Sequence, residues 1–411
     1  VRAALLAPLA VLALQAQPPQ SQAFVLPNGL RVFHLEDHEH PLVRVWLRLD
    51  LVPGDTPAGL QGLPQLTQRM LQLPGREGAT ADEFERLLEG SGIQLTTSAS
   101  GAALEWRLVA RSRDQDRALS LLAESLLRTV FDAGDLMRQR QACWRDWEAA
   151  EATPRLRLLR TLGTEPGLRP TPASLGAITL SDLIAFRTRV FRPERAVLVL
   201  HGDLGLEQAK RLLLLNLGAW AAGPVPPAAA PATQAPTAPE ALVRLPSQGP
   251  AVTLEALALP PPGLAPEVEA LLGLLLPGDP LLAPIRISRE EPGLVATLEA
   301  GPGAAGQAWA ELQGRLEALR QRGFTQPDLD RARLAWQARR SLDALHPEAL
   351  LEATLAEARG RSATPAAMRT LTLEALNTGL RRWLDPTRLR AGAAGPPEAL
   401  ARLAPPAPLA P

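Results

Sequence analysis

Cysteine occurs once in the 411 residues, at Cys143, so no intrachain disulfide can form. This does not exclude an oxidising compartment, because a chain of this size buries enough surface to fold without staples. Net charge of either sign is missing too: 43 basic residues balance 43 acidic ones. That balance removes the electrostatic case for a nucleic acid or an anionic membrane surface as partner. Lysine is almost absent, with Lys210 alone among arginines. Beyond the first residues, no run reaches the ~18 uncharged apolar residues of a bilayer-spanning helix, so stable membrane insertion is not expected. Phosphate loops are lacking as well, since the GPGAAG segment at Gly301 has no Lys-Ser/Thr after it. Ser98 and Ser100 sit in no nucleophile elbow.

What is present is a leader, two long halves and a linker. Arg2 supplies a positive start, Ala3–Leu14 an apolar stretch and Ala16 a small residue for cleavage. Residues 1–22 therefore read as an export signal and leader, which predicts a periplasmic or secreted bacterial protein. Residues 223–240 are rich in Pro and Ala without hydrophobic periodicity, which predicts an extended spacer. The spacer separates an N-terminal domain, 23–222, from a C-terminal domain, 241–395, and residues 396–411 read as a disordered tail. In the first half, Leu42–Val52 alternates as a half-buried strand does, and Gly59–Leu73 has helical spacing. A helix at Ala81–Glu89, paired strands Ile93–Ser98 and Ala103–Ala110, and helices at Asp114–Thr129 and Asp135–Ala152 follow. A helix from Ser181 and a strand Ala196–Leu200 close that half. The second half repeats the theme: strands Val252–Leu257 and Leu294–Glu299, helices Pro266–Leu276, Ala308–Arg322 and Gln326–Leu345. Hairpins mixed with helices predict an α+β fold, and the similar order of the halves suggests an internal duplication.

The opening FVLPNGLRVFHLEDHEHPLVRVWLRL, Phe24–Leu49, resembles the first hairpin of the insulinase/pitrilysin family of zinc peptidases. ATADEFERLLEGSGIQLTTSASGAALEWRLV resembles the elements after that family's zinc helix, and DLIAFRTRVFRPERAVLVLHGDL the end of its first domain. The resemblance implies two homologous domains, each a mainly antiparallel sheet packed with helices. Between these segments, Gly62–Met70 stands where the family carries its inverted motif, H-x-x-E-H. There two histidines on one helical face bind zinc and the glutamate activates water. Here the matching residues are Gln65, Gln68 and Arg69. An amide is a poor zinc ligand, a glutamine cannot take a proton from water, and an arginine brings permanent positive charge to the place of a dication. The later glutamate ligand is matched by Asp146, which reads as a solvated helix charge or as a partner for Arg69. The expectation is a chain with no catalytic residue, no metal and no cofactor of its own, zinc residing only in an active partner.

In the second half SREEPGLVATLEA resembles the family's R-E-x-x-G-L-A-Y segment, with Ala296 at the tyrosine, a residue type this chain lacks altogether. The family's substrate-anchoring arginine falls near Ala283, and the neighbouring Arg286 and Arg289 read as structural. Family members close a chamber around peptides, and many bacterial ones pair an active with an inactive chain. The resemblance thus implies a non-catalytic subunit that partners an active insulinase-like chain and forms one wall of a peptide-binding chamber. Two other readings stay open: a weak metallopeptidase with unconventional ligands, and a stand-alone periplasmic peptide-binding scaffold. The segment from His34 to His40 imitates a metal motif, but it falls at a predicted hairpin tip with nothing to fix a second shell, so it reads as an exposed turn. His201 reads as a strand-end residue, His346 as a loop residue and Cys143 as a buried, inert thiol.

Overall fold

The strand β6, Ala196–Gly202, is buried along its whole length. Its unbroken apolar run AVLVLHG suits a central strand covered on both faces. It lies parallel to β2, Arg31–Glu36, and antiparallel to β3, Leu42–Asp50. With β1, Gln22–Val25, β4, Gln94–Ala99, and β5, Ala103–Arg111, they form a six-stranded sheet of order β1-β2-β6-β3-β5-β4. In this computed structural model the described residues are 21–52, 54–72, 86, 88–100, 103–163, 170–223, 242–261, 263–290, 293–386 and 388–403. The expected export signal, most of the expected Ala81–Glu89 helix and the linker from 224 onward lie outside them.

A second sheet has the order β7-β11-β8-β10-β9, from Val243–Pro246, Arg390–Gly395, Val252–Ala258, Gly293–Ala300 and Arg286–Glu290. Its β11 is parallel to β7 and antiparallel to β8, as β6 is parallel to β2 and antiparallel to β3. Strand for strand the second sheet repeats the first, with no equivalent of β1 among the described residues, the topology expected of a duplication. The molecule is α+β with two sheet-containing domains.

On the first sheet, alternation sorts the side chains by face. Val43, Val45, Leu47 and Leu49 of β3 join Leu104, Trp106 and Leu108 of β5 in one core with the helices Leu63–Gln72, Gln115–Ala123, Leu180–Val190 and Leu206–Leu217. Trp46 faces the other way, with Leu35, Val197 and Val199, against Leu350, Leu351 and Leu355 of the helix Pro347–Ala358. That helix comes from the second half of the sequence. The second sheet has the converse arrangement: Leu158 and Leu162 of the helix Pro154–Gly163 pack on Leu257, Val295 and Ala394.

These two helices correct the domain boundaries expected from sequence. One compact unit comprises Val1–Trp144, Pro170–Ala232 and Arg340–Gly360, the other Arg145–Arg169, Thr233–Arg339 and Arg361–Pro411, so neither is the continuous segment 23–222 or 241–395. The tail is corrected in part also. Pro397–Ala401 is a helix with Ala399 and Leu400 buried, and Leu403 is buried beyond it, because these apolar side chains complete the second core.

Candidate functional site

The helix that carries the degenerate motif is positioned by its N-terminal loop. Gly62 has φ +96°, and a Cβ there would come within 2.6 Å of Leu175, so a side chain is excluded. The preceding carbonyl, of Gln61, accepts a hydrogen bond from Ser174 Oγ at 2.8 Å. Leu63–Gln72 then buries Leu66, Thr67, Met70 and Leu71. Thr67 turns its hydroxyl back onto the Leu63 carbonyl at 2.7 Å.

Gln68 is buried, and its Nε2 donates to the backbone carbonyl of Glu105 at 2.8 Å. The residue matching the family's general base is thus used as a clamp between helix and β5. Its Oε1 and that of Gln65 are buried without a hydrogen-bond partner among the described residues. Arg69 is half-buried and partnered. Asp146 is exposed, on the part of the helix Ala133–Glu151 that belongs to the other compact unit. Two carboxamides and a guanidinium on one helical turn offer neither a neutral imidazole nor a carboxylate, so this surface holds no good zinc donor set.

Beside Glu105 lies a polar network that sequence reasoning missed. Arg48 and Glu105 face each other across β3 and β5, and the guanidinium binds the carboxylate directly. Arg48 Nε also donates to Asp50 at 3.0 Å, and Arg359, just past the helix Pro347–Ala358, reaches the same Asp50 at 2.9 Å. In sequence, Arg48 is visible only as one polar position in an alternating strand. Beyond β5, β4 ends the sheet, with exposed Gln94, Thr96 and Ser98.

In the second unit Ala296 is buried in the apolar core and Ala283 is exposed. Arg289 pairs with Glu269, and Arg286 is exposed. Cys143 is buried, and His346 is the N-cap of its helix without a side-chain cap bond.

The His34–His40 reading needs correction. His34 is fully buried in β2, with Nε2 2.7 Å from the Leu204 carbonyl, because β2 is covered on both faces. Burial holds its pKa below the ordinary imidazole value. His38 is exposed and lies between Asp203, at 2.7 Å, and Glu36, at 2.8 Å. Those hydrogen bonds, Asp203 first, raise its pKa and lower that of Asp203. The end of β6, far away in sequence, thus supplies the partners that the segment alone lacks.

Three comparisons bear on ancestry. Residues 177–276 match the family described as the peptidase M16 inactive domain. Among curated proteins the chain is 26% identical over 134 residues to coenzyme PQQ synthesis protein F of Pseudomonas aeruginosa, covering 33% of this chain and 17% of that protein. A peptidase M16 inactive domain from Pseudomonas fluorescens has TM-score 0.74 at 20% identity, covering 92% of this chain and 98% of the other. A protease from Helicobacter pylori also has TM-score 0.74, at 14% identity and 92% and 100% coverage. The periplasmic protease PqqL of Escherichia coli has TM-score 0.71 at 14% identity, with 93% of this chain matching 47% of that one. The chain therefore spans a small part of its curated relative and about half of PqqL. No helix among the described residues is long and apolar enough to cross a membrane. The fold is that of the peptidase M16 inactive-domain structures, and the match of residues 177–276 to that family's inactive domain agrees with the motifs read from the sequence.

Proposed function

We propose that the chain is a non-catalytic subunit of an exported, periplasmic peptidase, forming part of the wall of a peptide-binding chamber with an active insulinase-like chain. The observation that carries this reading is the spent motif helix. Gln68 gives its amide to the Glu105 carbonyl, and Gln65 and Arg69 leave its surface without a zinc ligand. The match to an inactive-domain family and the printed names of the relatives support the same reading. Strand β4, at the sheet margin beside that helix, offers backbone groups to which an extended peptide can add as a further strand.

The test is co-expression with a candidate chain bearing an intact H-x-x-E-H, followed by size-exclusion chromatography and a peptide-cleavage assay. The expected result is a stable complex whose chelator-sensitive cleavage is lost when the partner's glutamate is replaced. Isolated chain that hydrolyses peptides, and stops when zinc is removed, overturns the proposal.

A further inference from the structure

Four of the chain's five histidines, His34, His38, His40 and His201, gather where the β2–β3 turn meets the end of β6. Backbone bonds fasten the two: Asp37 N–H donates to the Gly202 carbonyl and Asp203 N–H to the Leu42 carbonyl, both at 3.0 Å. One oxygen of Asp37, Oδ1, accepts the Glu39 N–H at 2.9 Å. The other, Oδ2, stands 3.3 Å from His40 Nδ1 and 3.6 Å from His201 Nε2. Carboxylate and imidazole atoms of Asp37, Glu39 and His40 all lie within 4.8 Å of one another. An ion with bonds of about 2.0–2.2 Å in tetrahedral geometry sets its ligands roughly 3.3–3.6 Å apart. The two distances from Asp37 Oδ2 fall in that range.

A second observation comes from His201. It is 3% exposed, and neither ring nitrogen makes a hydrogen bond among the described residues. Nδ1 is enclosed, while Nε2 is turned toward Asp37 Oδ2 at a distance beyond hydrogen-bond reach. Burying an imidazole without a hydrogen bond costs stability, and His201 is held there with Nε2 aimed at Asp37. His38, held between Asp203 and Glu36, fixes the turn from behind.

We propose that Asp37, Glu39 and His40, backed by buried His201 against Asp37 Oδ2, form a site for a divalent first-row metal ion of the zinc class. Oxygen and imidazole donors without thiolate suit zinc or cobalt rather than copper(I). The site is separate from the Leu63–Gln72 helix and does not depend on the role proposed for that helix.

The full chain, stripped with EDTA, is titrated with Zn2+ against a chromophoric chelator, and Co2+ binding is followed by its visible spectrum. One equivalent is expected to bind with Kd below about 10 μM. His40→Ala and Asp37→Asn, both in the turn, are expected to weaken binding at least about tenfold. His346→Ala and Gln68→Ala leave it unchanged. Binding weaker than about 1 mM, or Zn2+ affinity equal in wild type, His40→Ala and Asp37→Asn, overturns the site. His201→Gln is expected to weaken binding similarly, and circular dichroism checks its fold. If that variant does not fold, the two turn variants decide.

Discussion

The two sheets share a strand order and a covering helix from the other half of the sequence, yet they treat charge differently. In the first, Arg48, Asp50, Glu105 and Arg359 form a chain of ion pairs under and beside the helix Pro347–Ala358. In the second, one carboxylate, Glu255, is 0% exposed and meets Arg155 at 3.2 Å, whose own side chain is substantially exposed. Both helices end under an arginine: Arg31 donates to the Ala358 carbonyl at 3.2 Å and Arg390 to that of Leu162 at 2.9 Å. Helix capping was thus kept in both units, while every histidine lies in the first. The first sheet carries the chemistry-bearing residues, and the second provides a plainer frame.

The largest effect expected from this difference concerns a deeply buried pair. Arg195 binds both oxygens of Asp55, and both residues are buried. Asp55→Ala strands a buried guanidinium and is expected to cost about 3–5 kcal/mol in denaturant unfolding. Glu255→Gln should cost about 1–2 kcal/mol, since Arg155 can turn to water. Equal losses would erase the contrast between the units.

Next in size is a pair of strand-end glycines. At Gly202, φ is +134° and a Cβ would lie 2.0 Å from the Leu42 carbonyl. At Gly395, the equivalent end of β11, the nearest atom is a Val252 methyl at 2.9 Å. Gly202→Ala is expected to cost about 2–3 kcal/mol, and Gly395→Ala less, because a methyl can give way and a backbone cannot. Thermal melts of the two variants rank them.

Much of this was legible from residues alone. The run at Ala196–Leu200 marked a strand, and alternation at Leu42–Val52 marked β3, although β3 is buried on both faces rather than half-buried, with Trp46 packed opposite to Val45 and Leu47. What was not legible is partnership across sequence. Leu158 and Leu162 show that their helix has an apolar face, but an apolar face does not say which sheet it will cover. Pro397–Ala401 was hidden by Pro/Ala composition, although Leu400 and Leu403 are apolar in a helical register. The motif substitutions at Gln65, Gln68 and Arg69 could be read directly. The bond from Gln68 to Glu105 could not, because it depends on how the helix docks.

A pH experiment sharpens the contrast further, since all histidines belong to the first unit. Burial lowers the pKa of His34 in the folded state, so the unfolded chain takes up its proton first. Its contribution is therefore intact above the ordinary imidazole pKa of about 6.5 and is lost as pH falls below it. Stability measured in EDTA should drop by up to about 1.4 kcal/mol per pH unit for this group, and His34→Gln should flatten the slope. A slope unchanged in that variant would show that His34 is not the group that titrates.

The smallest effects lie within one turn of the motif helix, where two glutamines are expected to respond with opposite sign. Gln68 donates to Glu105 O, so Gln68→Ala should lose about 1 kcal/mol and loosen the helix from β5. Gln65 has a buried carbonyl oxygen with no hydrogen bond among the described residues. Gln65→Leu removes that desolvated oxygen and should gain up to about 1 kcal/mol. Chemical denaturation of both variants and of the double variant separates the terms. A loss on Gln65→Leu as large as that on Gln68→Ala would mean that Gln65 also holds the helix, and the motif surface would then be a fully satisfied polar element.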